Sequence, residues 1–107
     1  MRKLTPIILA LATFTGPAKA AETSAEIATF QFMPSEIAVA AGSTVTWTNR
    51  DGIEHSVTAD AVADGKPAFD SGLFKKGESR SLTFTEPGTF GFHCARHTSM
   101  TGTITVK

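Results

Sequence analysis

The sequence predicts an all-β fold, a sandwich or barrel of about seven or eight short strands. Short runs with an apolar residue at every second position are separated at short intervals by clusters of turn residues. No stretch beyond the N-terminal residues repeats apolar side chains at the spacing of an amphipathic helix. The chain also contains no internal repeat, linker or low-complexity segment, so these strands are expected to form one domain.

The first predicted strand is marked by Ile27, Phe30 and Phe32. Its apolar alternation is interrupted between Ile27 and Phe30, which indicates a bend or bulge, and Pro34 ends it. Residues 37–39 then alternate in the same way and predict the second strand.

The clearest strand pattern surrounds Val45 and Trp47, because threonines fill the positions between and beside them. Residues 49–52, Asn-Arg-Asp-Gly, favour a loop after that strand, since Asn, Asp and Gly tolerate turn geometry. His55 follows the loop and opens a further short strand over residues 55–58.

The second half of the domain is less regular at its start. Residues 59–68 are polar and predict an irregular segment, and residues 69–74 predict a short strand or turn. Alternation then returns over residues 81–85 and 89–94, and residues 103–106 form the last predicted strand.

The N-terminal residues predict an export signal. Two basic residues precede the apolar run 7–14, and the small-residue motif Ala18-Lys19-Ala20 follows it. We expect a cleaved signal peptide over residues 1–20, followed by one domain over residues 21–107. The protein is therefore expected to be periplasmic, without a membrane anchor, and monomeric.

Composition argues against several classes of function. Ten basic residues balance ten acidic ones, and no basic stripe or interleaved aromatic set favours nucleic-acid binding. No Ser/His/Asp set, catalytic carboxylate pair or Gly-rich phosphate loop predicts an enzyme. The sequence therefore predicts a binding or carrier protein.

Cys94 is the only cysteine of the chain, so it cannot form an intrachain disulfide. His97 and Met100 follow it at steps of three residues, on a predicted loop that can bring all three side chains to one point. A thiolate, an imidazole and a thioether are soft ligands that suit copper cycling between Cu(I) and Cu(II). A second imidazole, for which His55 is the candidate, would complete a trigonal plane with Met100 as the weak axial ligand.

Strand alternation decides between the remaining candidates. Phe92 and Cys94 share the core face of their strand, so His93 between them should face solvent rather than bind metal. Met33, beside a proline, is expected to be a packing residue, and Met100 itself has the alternative role of a core residue.

Segments from almost every part of residues 26–107 follow one pattern of residue types. They are Phe32-Met33-Pro34, Val39 to Gly42, Val45 to Asn49, His55, Phe84 to Phe90, and His93-Cys94-x-x-His97-x-x-Met100-x-Gly102. This pattern resembles the cupredoxins, or type 1 blue copper proteins. The resemblance implies an eight-stranded Greek-key sandwich and electron transfer. It also implies one copper ion bound by His55, Cys94 and His97, with Met100 axial.

The short spacing of the last three ligands is similar to that of the amicyanin group among plastocyanin-like cupredoxins. That likeness implies a periplasmic dehydrogenase and a c-type cytochrome as redox partners. The chain departs from the group at Arg96 and Thr98, where amicyanins carry prolines. Ser56 is either an ordinary strand residue or, as in cupredoxins, a hydrogen-bond partner of the ligand loop. Arg96 either pairs with a partner carboxylate or is solvated.

Two other functions are compatible with these ligands. A copper storage or delivery protein would use the same side chains without redox cycling, but the chain has no Met- or His-rich tract to hold more copper. Structural zinc fits poorly, because methionine would have to be its fourth ligand.

Overall fold

The computed structural model describes residues 19–107, which form ten β-strands and no helix. The strands are, in chain order, β1 (Glu22–Ala28), β2 (Gln31–Met33), β3 (Glu36–Val39), β4 (Ser43–Asn49), β5 (Thr58–Ala59), β6 (Val62–Ala63), β7 (Lys66–Pro67), β8 (Ser79–Phe84), β9 (Gly88–His93) and β10 (Thr101–Val106). The predicted signal peptide falls almost entirely outside the described residues.

Eight of these strands form two four-stranded sheets. One has the order β2-β1-β4-β8 and the other the order β3-β10-β9-β5, while β6 and β7 pair separately as a small ribbon. Neighbours are antiparallel except β1 with β4 and β3 with β10, which are parallel. The predicted all-β fold is confirmed, and the two sheets supply the eight strands of the sandwich.

The core lies between the two sheets and follows the alternation seen in the sequence. Val45 and Trp47 on β4 are fully buried, as is Phe92 on β9. The Trp47 and Phe92 rings meet edge to face, with centroids 5.7 Å apart, and the Phe32 ring lies 4.8 Å from that of Phe92. Aromatic side chains from both sheets therefore close the core directly beneath the strand end that carries Cys94.

The threonines of β4 lie on the opposite face of their sheet, as the alternation predicts. Each of them hydrogen-bonds to a hydroxyl of β8 directly across the pair. These contacts are Thr44 with Thr83 at 2.8 Å, Thr46 with Ser81 at 2.7 Å, and Thr48 with Ser79 at 2.7 Å. The hydroxyl ladder fixes the register of β4 and β8 on the solvent side.

The predicted opening strand is wrong in one respect, because it is a hairpin. Strands β1 and β2 are antiparallel and joined by a tight turn at Thr29 and Phe30, with φ values of 51° and 60°. Phe30 consequently leaves the core and is 49% exposed. Thr and Phe rarely adopt such left-handed angles, so local sequence did not indicate a turn there.

Residues 59–68 are also more regular than predicted, because they include the β6–β7 ribbon. Asp64 and Gly65 turn that ribbon with φ values of 55° and 76°, a conformation for which the Asp-Gly pair is a known sequence signal. The strand expected over residues 55–58 begins only at Thr58, and His55 instead forms an isolated bridge with Phe74.

Candidate metal centre

The candidate ligands come from two loops at one end of the sandwich. Cys94 directly follows β9, and His97 and Met100 lie between it and β10. His55 comes from the connection between β4 and β5. Its backbone exchanges two hydrogen bonds with Phe74, at N···O distances of 3.2 and 2.9 Å, which hold it in place without a regular strand.

The ligand loop is closed at both ends by backbone hydrogen bonds. His93 and Thr101 are paired residues of β9 and β10. Inside that pair, the Cys94 N–H donates to the Met100 carbonyl at 3.1 Å, and the Met100 N–H donates to the His97 carbonyl at 2.8 Å. These bonds fold the chain tightly back on itself. The thiol, the imidazole and the thioether therefore all lie on one short loop.

The donor atoms of the two loops converge. Cys94 Sγ lies 3.7 Å from His55 Nδ1 and 3.7 Å from His97 Nδ1. The three ligand atoms all lie within 4.8 Å of one another. An ion bonded at about 2.1 Å to nitrogen and 2.3 Å to sulfur, with an angle near 120° between them, needs a separation of about 3.8 Å. The donor set thus has the spacing and the soft chemistry that copper requires.

Exposure differs sharply between the candidate ligands. His55 and Cys94 are fully buried and Met100 is 5% exposed, whereas His97 is only half-buried. Met100 is therefore placed on the inner side of the same loop. Met33, expected to pack, lies on β2 and is 44% exposed, so that prediction is wrong.

His93 lies on the opposite face of β9 from Cys94, as strand alternation predicts. Its Nδ1 is 2.6 Å from a carboxylate oxygen of Asp60, and it is not among the three residues whose ligand atoms cluster.

Ser56 connects the two loops. Its hydroxyl accepts the Ala95 N–H at 2.9 Å and lies 2.8 Å from the Thr58 hydroxyl, which donates to Asp70 at 3.1 Å. Because Thr58 uses its proton on Asp70, it accepts from Ser56. Of the two roles that the sequence leaves open for Ser56, the structure shows the hydrogen bond to the ligand loop.

Three further contacts hold the connection before His55. The Asn49 side-chain amide donates to the carbonyls of Ile53 and Phe74 at 2.9 and 3.0 Å. Arg96 on the ligand loop pairs with Glu54 at 3.2 Å. The sequence presented Arg96 as solvated or as a group for a partner, and this pairing within the chain was not foreseen.

Asp51 is the residue of the centre that sequence reasoning missed. Its carboxylate lies 2.9 Å from His55 Nε2 and accepts the backbone N–H groups of Thr29 at 2.7 Å and Phe30 at 2.8 Å. The signal in the sequence is the four-residue step from Asp51 to His55, within a stretch that predicts only a turn.

The Asp51 carboxyl group is ionised at neutral pH. Partial burial raises its pKa, but the hydrogen bonds that it accepts from Phe30, His55 and Thr29 lower the pKa by more than burial raises it. The net effect is a pKa below the ordinary 3.8. An ionised carboxylate only accepts hydrogen bonds, so all of these groups donate to it.

The Phe30 ring covers the two imidazoles. It meets His55 and His97 edge to face, with ring centroids 5.2 and 4.9 Å away. The β1–β2 turn therefore forms one wall of the centre, although it lies far from both ligand loops in sequence.

Within residues 19–107 there is no helix with the length and apolar character needed to span a membrane.

Comparisons with known proteins agree with this geometry. The family model of copper-binding proteins of the plastocyanin/azurin family matches residues 19–107. An amicyanin of Paracoccus denitrificans is 39% identical over 82 residues, which cover 77% of this chain and 63% of the relative. A chloroplastic plastocyanin of Hordeum vulgare is 40% identical over 84 residues, covering 71% of this chain and 54% of the relative. The chain thus spans less than two thirds of either relative's length.

Solved structures are similar over most of the domain. A reduced Cu(I) form of an amicyanin variant at pH 4 superposes with a TM-score of 0.73 at 38% identity, covering 84% of this chain and 85% of that one. A reduced-state amicyanin variant gives a TM-score of 0.72 at 38% identity, covering 79% and 81%.

Proposed function

The chain belongs to the plastocyanin/azurin family of copper-binding proteins, and we propose that it is a type 1 blue copper protein carrying single electrons between redox partners. Amicyanin and plastocyanin are themselves electron carriers rather than enzymes. The observation that carries the proposal is the convergence of two imidazole nitrogens and one thiol sulfur within 4.8 Å.

His55, Cys94, His97 and Met100 would together hold one copper ion. When bound, the ion would supply a one-electron Cu(I)/Cu(II) couple. The protein's part is to hold the ligands still. Four protein ligands also leave no open position for a substrate, which favours a carrier over an oxidase.

Water exclusion and electron access are divided between the two histidines. His55, Cys94 and Phe92 are fully buried, so the inner side of the centre is shielded from solvent. His97 is the half-buried ligand on the loop surface. We therefore propose His97 as the group through which electrons enter and leave.

We also propose the cellular setting from the sequence and the relatives. Residues 1–20 would be a cleaved signal peptide, and residues 21–107 the copper domain, acting as a monomer in the periplasm. The likeness to amicyanin supports a periplasmic dehydrogenase and a c-type cytochrome as its redox partners.

Adding Cu(II) to the copper-free protein and recording visible and EPR spectra tests the centre. We expect the intense blue colour of a type 1 site in the wild type and in His93→Ala. His97→Ala should lose that colour or bind external ligands in the vacated position. Unchanged spectra in His97→Ala would contradict its assignment.

Electron transfer itself is tested by voltammetry of the loaded protein. A carrier shows a reversible one-electron wave and retains its copper when mixed with a copper-free acceptor protein. Ready transfer of the metal without a reversible wave would instead identify a storage or delivery protein.

A further inference from the structure

We infer that Asp51 is a positioning residue that holds His55 in its metal-binding tautomer and ties it to the β1–β2 turn. This inference rests on the proposed function, since it takes His55 as a copper ligand. It assigns a role to a residue outside the four proposed ligands.

The Asp51 carboxylate has three hydrogen-bonding partners. Oδ1 accepts the Thr29 N–H at 2.7 Å, and Oδ2 accepts the Phe30 N–H at 2.8 Å and lies 2.9 Å from His55 Nε2. The Asp51 side chain is only 14% exposed and the His55 side chain is fully buried. Water therefore competes little for the contact between them.

The contact with Asp51 decides which ring nitrogen of His55 carries the hydrogen. A carboxylate has no proton to donate, so the hydrogen of neutral His55 must be on Nε2. Nδ1 then carries the free lone pair, and Nδ1 is the atom that lies 3.7 Å from Cys94 Sγ. Carboxylate partners of this kind fix the tautomer and ring orientation of metal-bound histidines and raise their basicity.

Asp51 also stabilises the β1–β2 turn. Thr29 and Phe30 both have left-handed backbone angles, which are unfavourable for a β-branched and for a bulky residue. Asp51 accepts the N–H groups of both residues and so offsets that cost. This β1–β2 turn places the Phe30 ring against both His55 and His97. One carboxylate thus orients a ligand and holds the wall that covers two of them.

The chain contains a matched pair for comparison. Asp60 contacts His93 at 2.6 Å, so it too pairs a carboxylate with an imidazole. That pair is more exposed, lies outside the ligand cluster and holds no left-handed turn. Asp60→Asn is therefore the control for Asp51→Asn.

The first experiment compares Cu(I) affinity and reduction potential in full-length wild type, Asp51→Asn and Asp60→Asn. Asp51→Asn should weaken Cu(I) binding by roughly 10–100-fold, the usual effect of losing such a partner. Its potential should rise, because removing a nearby negative charge disfavours Cu(II) relative to Cu(I). Asp60→Asn should change neither quantity. Equal behaviour of the two variants would overturn the inference.

The second experiment is decided by the wild type, so its outcome does not depend on whether a variant folds. Imidazole nitrogen NMR of the copper-free wild type at alkaline pH reports which ring nitrogen of His55 carries the proton. We expect a single Nε2–H form, and in Asp51→Asn a loss of that single form. A wild-type Nδ1–H form would refute the inference.

His55→Ala separates this inference from the proposed function. If that variant keeps the blue spectrum, the ligand assignment fails and the role of Asp51 fails with it. If it loses the spectrum while Asp51→Asn matches Asp60→Asn, only the role of Asp51 is wrong.

Discussion

Gly102 occupies a position that no side chain fits, and Gly102→Ala should destabilise the protein substantially. A Cβ atom there would overlap Cζ of Phe92, lie 2.6 Å from its Cε1, and lie 2.9 Å from the Ser35 carbonyl oxygen. Gly102 is paired with Phe92 across β10 and β9. The clash therefore involves a fully buried core ring.

Neither neighbour can move away cheaply. The Phe92 ring is fully buried and packed against Trp47 and Phe32. The Ser35 carbonyl accepts the Thr103 N–H at 2.8 Å. Inserting one methyl group into such a packed core costs typically 1–3 kcal/mol. We expect the upper part of that range here, about 2–3 kcal/mol, because both obstacles are held by their own contacts.

Urea unfolding of the copper-free protein measures this cost without the contribution of bound metal. Gly52→Ala is the control, because nothing lies within 4 Å of its added Cβ, and it should change stability by less than about 0.5 kcal/mol. Adding Phe92→Leu to Gly102→Ala should cost less than the sum of the single changes, since the smaller side chain relieves the overlap. A cost for Gly102→Ala as small as that of Gly52→Ala would show the reasoning to be wrong.

Three further predictions concern buried polar groups. Trp47 Nε1 is buried without a hydrogen-bond acceptor among the described residues, so Trp47→Phe should cost only about 1 kcal/mol by urea unfolding, against about 3–5 for Trp47→Ala. Ser56→Ala leaves the Ala95 N–H without its acceptor and should cost about 1–2 kcal/mol; no change in unfolding free energy would contradict the loop link. The pKa of Asp51 is lowered in the folded state. Its ionised carboxylate therefore stabilises the fold above about pH 3.8, and this stabilisation is lost as the pH falls through the folded-state pKa. In urea unfolding at decreasing pH, the free energy of unfolding of the wild type should therefore approach that of Asp51→Asn. A difference in unfolding free energy that stays constant with pH would contradict this prediction.

The parts of the fold that could be predicted are those that depend on nearby residues. The burial of Val45 and Trp47 follows from the two-residue period of a strand, whatever lies across the sheet. The same rule separated Cys94 from His93. The β6–β7 ribbon could also have been predicted, because its Asp64-Gly65 turn has a local sequence signal.

The β1–β2 turn could not be predicted in this way. Its left-handed angles at Thr29 and Phe30 oppose the preferences of both residues and are stabilised by Asp51, which is 22 and 21 residues away in the chain. The pairing of Arg96 with Glu54 is similarly distant, at 42 residues. Such contacts exist only after the sheets have assembled.

The sequence by itself determined an all-β domain and a soft donor set on one short loop, because alternation and ligand spacing are local properties of the chain. Only the tertiary structure decided that His55 is fully buried, that Asp51 contacts it, and that the Phe30 ring covers both histidines. Those features depend on which loops meet at one end of the sandwich. The packing of the two sheets around Trp47 and Phe92 brings these loops together, and no local stretch of the sequence could do so.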